Sequence, residues 1–108
     1  MLTIKRPTAV KNRELRSTLP VANNLLPNYP NPFNPMTTIE YELTEQNFVD
    51  LSIYDILGRK VANLVSSNQL AGRHKVTWNA ADYPSGIYYY KLTTNSGYSS
   101  VRKLVLMK

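Results

Sequence analysis

The feature that most constrains the fold of this chain is a series of short apolar–polar alternations from residue 38 to residue 108. In Thr38–Leu43, every second residue is large and apolar, and the residues between them include two glutamates. Phe48–Tyr54 repeats the pattern. A period of two places side chains alternately on the two faces of a strand, so each run predicts a strand with one buried face.

Further runs predict four more strands, and turn signals lie between them. The strands are expected at Lys60–Val65, Arg73–Trp78, Ile87–Thr93 and Tyr98–Lys108. Asp55–Gly58 and Asn95–Gly97 carry the residues of tight turns, Glu45–Asn47 is expected to close a hairpin, and residues 66–72 are expected to form a loop. Short strands at even spacing predict an all-β fold, a small antiparallel immunoglobulin-like β-sandwich of six or seven strands.

Parity along the later strands predicts which large side chains are buried. Trp78 is expected to anchor the core, and Tyr88 and Tyr90 share one face of their strand, which leaves Tyr89 exposed. In the last strand, Leu104 and Leu106 are expected to face inward. A chain of 108 residues has room for one modest core, so these side chains carry much of its apolar volume.

Prolines at positions 27, 30, 32 and 35 exclude a helix just before the first strand. We expect an extended path here, with Tyr29 and Phe33 packing inward and Asn31 and Asn34 forming local Asx turns. The alternative is a ligand for a proline-reading module. Two aromatic side chains within the segment favour packing on the sandwich.

Residues 1–25 are expected to form a flexible basic leader ahead of a domain at residues 26–108. The net charge is +6, and residues 1–26 hold five basic residues against one acidic residue. No aromatic side chain is interleaved with these charges to stack on bases, so we expect no nucleic-acid partner. No apolar run is long enough for a secretory signal or a membrane-spanning segment, so export requires a signal upstream and the chain is expected to be part of a longer protein.

The sequence predicts no catalytic, metal or cofactor site. The chain has no cysteine and one histidine, His74, which lies between two cations. Asp55 and Asp82 lie in turns, where backbone capping is expected rather than weak calcium binding. Trp78 and the tyrosines at 88–90 would form a sugar-binding platform only if they were exposed on one face.

Several motifs in register resemble the type A C-terminal sorting domain of the type IX secretion system, from about residue 26 to residue 108. The motif residues are Tyr29, Pro30, Asn31, Pro32, Phe33, Asn34 and Pro35, then Tyr54, Asp55, Gly58 and Arg59, then Gly72 and Trp78, and then Gly86, Tyr88 and Tyr90. They end in Lys103, Leu104, Val105, Leu106, Met107 and Lys108.

The resemblance implies a non-catalytic β-sandwich, without a cofactor, that is appended to exported proteins. Its implied partners are the outer-membrane translocation and sortase-like machinery, which reads the domain in the periplasm and usually removes it, leaving the cargo secreted or fixed to the cell surface. The residues expected to carry recognition are those at 103–108. A monomer is the default expectation.

Two other functions remain open. The turn at residues 54–59 and the strand at residues 85–88 are also similar to the immunoglobulin-like domain of flagellar hook-capping proteins, which implies a structural assembly role. A carbohydrate-binding module is the other alternative. The Asn-Pro-Phe-Asn-Pro segment and the terminal position of the last strand favour the sorting domain.

Overall fold

The computed structural model describes residues 20–108, which contain seven strands and no helix. The leader expected at residues 1–25 lies largely outside these described residues. The strands are β1 (Asn24–Leu25), β2 (Met36–Leu43), β3 (Asn47–Tyr54), β4 (Lys60–Gln69), β5 (Gly72–Asn79), β6 (Gly86–Thr94) and β7 (Ser99–Leu106).

The strands form two antiparallel sheets, one of three strands in the order β1-β2-β5 and one of four in the order β4-β3-β6-β7. The fold is thus the expected antiparallel immunoglobulin-like β-sandwich. The expected hairpin around Glu45–Asn47 is wrong, because β2 and β3 belong to different sheets and this connection crosses between them. The β6–β7 hairpin around Asn95–Gly97 is confirmed, with Thr93 opposite Ser99.

The core lies between the two sheets and follows the alternation of the strands. Every second residue of β2 is buried from Thr37 to Leu43, and Val49, Leu51 and Ile53 of β3 face them from the other sheet. Trp78 is 3% exposed and Tyr90 is fully buried, whereas Tyr89 is 37% exposed. The predicted parities are therefore confirmed.

Two boundaries differ from the sequence pattern. β4 continues to Gln69, so most of the loop expected at 66–72 is strand, and register shifts in the β3–β4 pair accompany this longer strand. β1 is too short for an alternation pattern to predict it, yet its residue Leu25 is 1% exposed and belongs to the core. The sandwich thus begins upstream of residue 26.

The proline segment is bent rather than extended. The chain bends at residues 30–32 and again at 34–35, and the peptide bonds before Pro30, Pro32 and Pro35 are cis. This path lets the segment contact both sheets, through a bridge from Tyr29 to Thr38 of β2 and a parallel bridge from Phe33 to Leu106 of β7.

Candidate functional site

The residues expected to carry recognition lie on β7 and directly after it, and β7 is an edge strand of the four-stranded sheet. Leu104 and Leu106 are fully buried, as predicted from parity. Lys103, Met107 and Lys108 are exposed and Val105 is half-buried. The terminal strand therefore has one face in the core and one face available to a partner.

The outer edge of β7 is covered at its C-terminal end. The Val105 amide donates to the side-chain oxygen of Asn31 over 3.0 Å, and the Val105 carbonyl accepts from the Phe33 amide over 3.0 Å. The Met107 amide donates to the Phe33 carbonyl over 3.0 Å. We call Asn31–Phe33 the clasp, because it occupies the edge that a partner strand would otherwise use.

The clasp changes the interpretation of Asn31. A local Asx turn was expected, but the Asn31 oxygen accepts a hydrogen bond from a residue 74 positions away. Asn34 was expected to form a second Asx turn, and within residues 20–108 its side chain makes no hydrogen bond.

The end of the chain has two more contacts beyond the clasp. The Lys108 amide donates to Ser85 Oγ over 3.0 Å, and Lys108 Nζ donates to the Ala81 carbonyl. Near the other end of β7, Arg102 Nε donates to the Leu25 carbonyl and ties β7 to β1 of the opposite sheet. Sequence reasoning missed Arg102, since only the three-dimensional fold brings positions 25 and 102 together.

An aromatic cluster supports the clasp from beneath. Phe33 is 2% exposed, and its ring centroid lies 5.7 Å from that of Trp78. Trp78 also packs against Tyr83 at 5.4 Å and Tyr88 at 5.6 Å. Separations in this range are typical of favourable tilted aromatic pairs. The inward packing expected of Phe33 is confirmed, and Tyr83 is a member of the cluster that sequence analysis missed.

Tyr29 does not pack inward as expected. It is 46% exposed, and its hydroxyl donates to the Glu40 carboxylate on the outer face of the three-stranded sheet. That hydrogen bond, together with burial and the Glu40 charge, raises the pKa of Tyr29. The buried anchor next to it is Asn28, whose Nδ2 donates to Thr37 Oγ1 over 2.9 Å.

The motif turn between β3 and β4 is held by Asp55. Its Oδ1 accepts from the amides of Leu57 and Arg59 over 2.9 and 3.0 Å, and its Oδ2 accepts from Arg59 Nε over 2.8 Å. The Gly58 amide donates to the Asp55 carbonyl, and Gly58 has a φ of 82°, which glycine adopts without steric cost. The Arg59 amide, together with its guanidinium and the Leu57 amide, lowers the pKa of Asp55 against the opposing effect of burial.

The other motif residues lie at strand starts or in the core. Gly72 and Gly86 begin β5 and β6. Tyr88 and Tyr90 point into the sandwich, where the Tyr90 hydroxyl donates to the Leu26 carbonyl over 2.7 Å. Trp78, Tyr88 and Tyr90 are buried, so with Tyr89 they form no sugar-binding platform.

The described residues hold no cluster of three or more metal-ligating side chains. His74 stacks on Tyr41 at 5.2 Å, and its Nε2 lies 2.7 Å from the Leu70 carbonyl. Residues 20–108 contain no helix that is long and apolar enough to cross a bilayer.

A family described as the secretion system C-terminal sorting domain matches residues 28–107. The chain belongs to this family. The match includes the Asp55 turn, the clasp and all of β7, and the structure joins the last two by hydrogen bonds. The chain therefore serves type IX secretion as a sorting domain, and such a signal implies export to the cell surface or beyond.

The chain is also similar to solved structures. The chain is similar to PorZ of Porphyromonas gingivalis, described as an essential bacterial surface component of the type-IX secretion system, with 25% identity and a TM-score of 0.56. The similarity covers 79% of this chain and 12% of PorZ, so the chain spans a small part of that protein. CopC from Methylosinus trichosporium OB3b is also similar, over 79% of this chain and 91% of CopC, with 16% identity and a TM-score of 0.47. No curated protein gives a significant match.

Proposed function

We propose that the sandwich is a portable, non-catalytic signal that carries an exported protein from the periplasm across the outer membrane. In this proposal, the outer-membrane translocation and sortase-like machinery recognises the folded domain and the sortase removes it after export. The cargo is then released or fixed to the surface. In this proposal the signal includes β1, which the burial of Leu25 in one core with Leu106 supports.

The observation that carries the proposal is that the first and the last family motif are hydrogen-bonded to each other. The clasp bonds to β7 at Val105 and Met107, while Leu104 and Leu106 fill the core beneath. A partner that recognises this end of the sandwich meets the first and the last motif on one surface. The terminal strand is thus a part of the folded signal rather than a separate linear tag.

A fusion experiment tests portability. Residues 20–108 are placed behind a folded reporter that has its own inner-membrane export signal, in a host with type IX machinery. We expect the reporter on the surface or in the medium. Retention of an intact, folded fusion in the periplasm, while a known sorting domain is exported in parallel, would contradict the proposal.

Variants of β7 separate folding from recognition in the same assay. Deletion of residues 104–108 is expected to block export. Leu104→Ala is expected to destabilise the domain by about 2–5 kcal/mol, because it opens a cavity in a filled core. Lys103→Glu is expected to change stability by no more than about 0.5 kcal/mol, as exposed substitutions usually do. If every folded variant of residues 103–108 is exported normally, recognition lies elsewhere on the sandwich.

A further inference from the structure

The outer face of the four-stranded sheet carries an exposed apolar surface that the core does not use. Tyr54 of β3, Tyr89 of β6 and Lys103 of β7 are register partners and therefore form one row across this face. Ser52, Lys91 and Val101 form the next row. Tyr89 is 37% exposed and Val101 is 54% exposed.

The Asp55 turn folds over the end of these rows and makes a groove. Ile56 at the tip of the turn is 69% exposed, and it lines a depression of about 330 Å³ with Tyr54, Tyr89, Lys91 and Val101. We call Tyr54, Ile56, Tyr89, Lys91, Val101 and Lys103 the outer patch. Aromatic residues around a partly enclosed groove are typical of the centre of a protein–protein interface.

Charge on the outer patch indicates what it binds. Within residues 20–108, neither Lys91 nor Lys103 pairs with a carboxylate. The nearby acids have other partners, since Asp55 is bonded to Arg59 and Asp50 accepts from Ser52 Oγ over 2.6 Å. Lys91 lines the apolar groove, and Lys103 is the register partner of Tyr89 beside it. An apolar groove with these two ammonium groups is complementary to an apolar side chain flanked by carboxylates.

In the described part of the chain, a second exposed groove has no unpaired charge in its lining that would favour one kind of partner. It lies on the opposite side of the Asp55 turn, has a volume of about 490 Å³ and reaches Tyr83 and Tyr88. The charged residues that line it, Asp55 and Arg59, pair with each other. The basic leader is also unsuited to the outer patch, because its net positive charge opposes that of the two lysines.

We propose that the outer patch docks a protein segment that presents an apolar side chain flanked by acidic residues, as part of the machinery that reads this sorting domain. The inference rests on the proposed function and adds a second contact surface to it, next to the terminal strand. Lys103 belongs to both surfaces, because it lies on β7 and in the tyrosine row.

The experiment compares matched variants in the reporter-export assay. Tyr89→Ser removes the aromatic centre of the outer patch. Phe48→Ser is its control, because Phe48 is an equally exposed aromatic residue, at 37%, on β3 of the same sheet, opposite Asn68 of β4 and away from the groove. A double variant, Lys91→Gln with Lys103→Gln, removes the positive charges of both lysines. Lys75→Gln on the other sheet is its control. Thermal unfolding of each purified domain verifies that it folds.

We expect export to fall about tenfold for Tyr89→Ser and for the double lysine variant, a loss typical of truncating an interface residue that contributes to binding. The two controls should be exported like the parent. Parent-like export of both outer-patch variants, or an equal loss in Phe48→Ser, would overturn the docking proposal while leaving the sorting function intact. Failure of the parent fusion itself would overturn the proposed function. If Tyr89→Ser does not fold, Lys91→Gln alone decides, because Lys91 lines the groove and lies outside the terminal strand.

Two binding measurements exclude other occupants. The purified domain is added to vesicles of phosphatidylglycerol and phosphatidylcholine, and its self-association is followed by sedimentation. We expect neither vesicle binding nor a dimer to depend on the outer patch. Vesicle binding that is lost in the double lysine variant would identify a lipid surface instead, and a dimer that is lost in Tyr89→Ser would identify a second copy of the chain.

Discussion

Asp55 fixes the turn between β3 and β4 through both carboxylate oxygens, and this makes the turn sensitive to pH. Its pKa lies below the usual 3.8, because the Arg59 amide and the other donors favour the ionised form. The carboxylate therefore contributes stability above the pKa of the unfolded chain, and this contribution is lost as the pH falls through the lower pKa of the folded state.

Asp55→Asn is expected to destabilise the domain at neutral pH and to lose most of that effect in acid. Urea unfolding of parent and variant at about pH 7 and about pH 2 measures the difference. Asp82→Asn is the control, because the Asp82 carboxylate makes no hydrogen bond within residues 20–108. A destabilisation by Asp55→Asn that is the same at both pH values would show that the charge is not the cause.

Trp78 is the residue on which the aromatic cluster depends. Trp78→Ala is expected to cost about 3–5 kcal/mol, because it removes a buried ring in contact with Phe33, Tyr83 and Tyr88. Leu70→Ala is the control at a side chain that is 68% exposed. Urea unfolding at neutral pH gives both values, and overlapping curves for the parent and Trp78→Ala would contradict the role of Trp78.

Among the structural elements, β7 and the clasp are coupled through the Asn31 side chain. Asn31→Ala is expected to cost about 0.5–1.5 kcal/mol, the range for one hydrogen bond, and to speed exchange of the Val105 amide. Asn34→Ala is the matched control in the same segment. Amide exchange followed by NMR provides the measurement, and equal protection of Val105 in both variants would mean that the side-chain bond contributes nothing.

Alternation in the sequence predicts individual strands well and their arrangement poorly. The faces of β2, β3 and β6 follow from parity, because burying one face of a strand fixes which residues point inward. The crossover between β2 and β3 does not follow from it. A short polar loop suits a hairpin as well as a passage between sheets, and the choice depends on the packing of the whole core.

The candidate site was predicted in part, for a similar reason. The burial of Leu104 and Leu106 could be predicted from the alternation of side chains along one strand. Predicting the clasp would have required knowledge of a contact across 74 positions, between the Asn31 side chain and the Val105 amide. No local pattern in the sequence encodes such a contact. Predicting the outer patch would have required the register of three strands, which is set only when the sheet forms.

At the scale of the whole molecule, β1 ties the start of the sandwich to its last two strands. The carbonyls of Leu25 and Leu26 accept from Arg102 and Tyr90, and Leu25 is buried. A fragment of residues 27–108 is therefore expected to be less stable than residues 20–108 by about 2–5 kcal/mol, the cost of losing a buried leucine.

The full chain provides the complementary comparison. If residues 1–19 act as a flexible leader, the full chain and the fragment of residues 20–108 should unfold at the same urea concentration. If the fragment of residues 20–108 unfolds at a lower urea concentration than the full chain, part of the leader belongs to the folded unit. Equal midpoints for fragments 20–108 and 27–108 would show that β1 adds nothing.

The clasp makes the domain sensitive to damage at its far end. A protease that trims residues 104–108 removes the backbone groups of Val105 and Met107 that bond to Phe33. Because Phe33 packs against Trp78, we expect the shortened molecule to expose aromatic rings that the intact sandwich buries. We therefore expect export to distinguish intact from trimmed molecules, because only the intact sandwich holds the clasp in place.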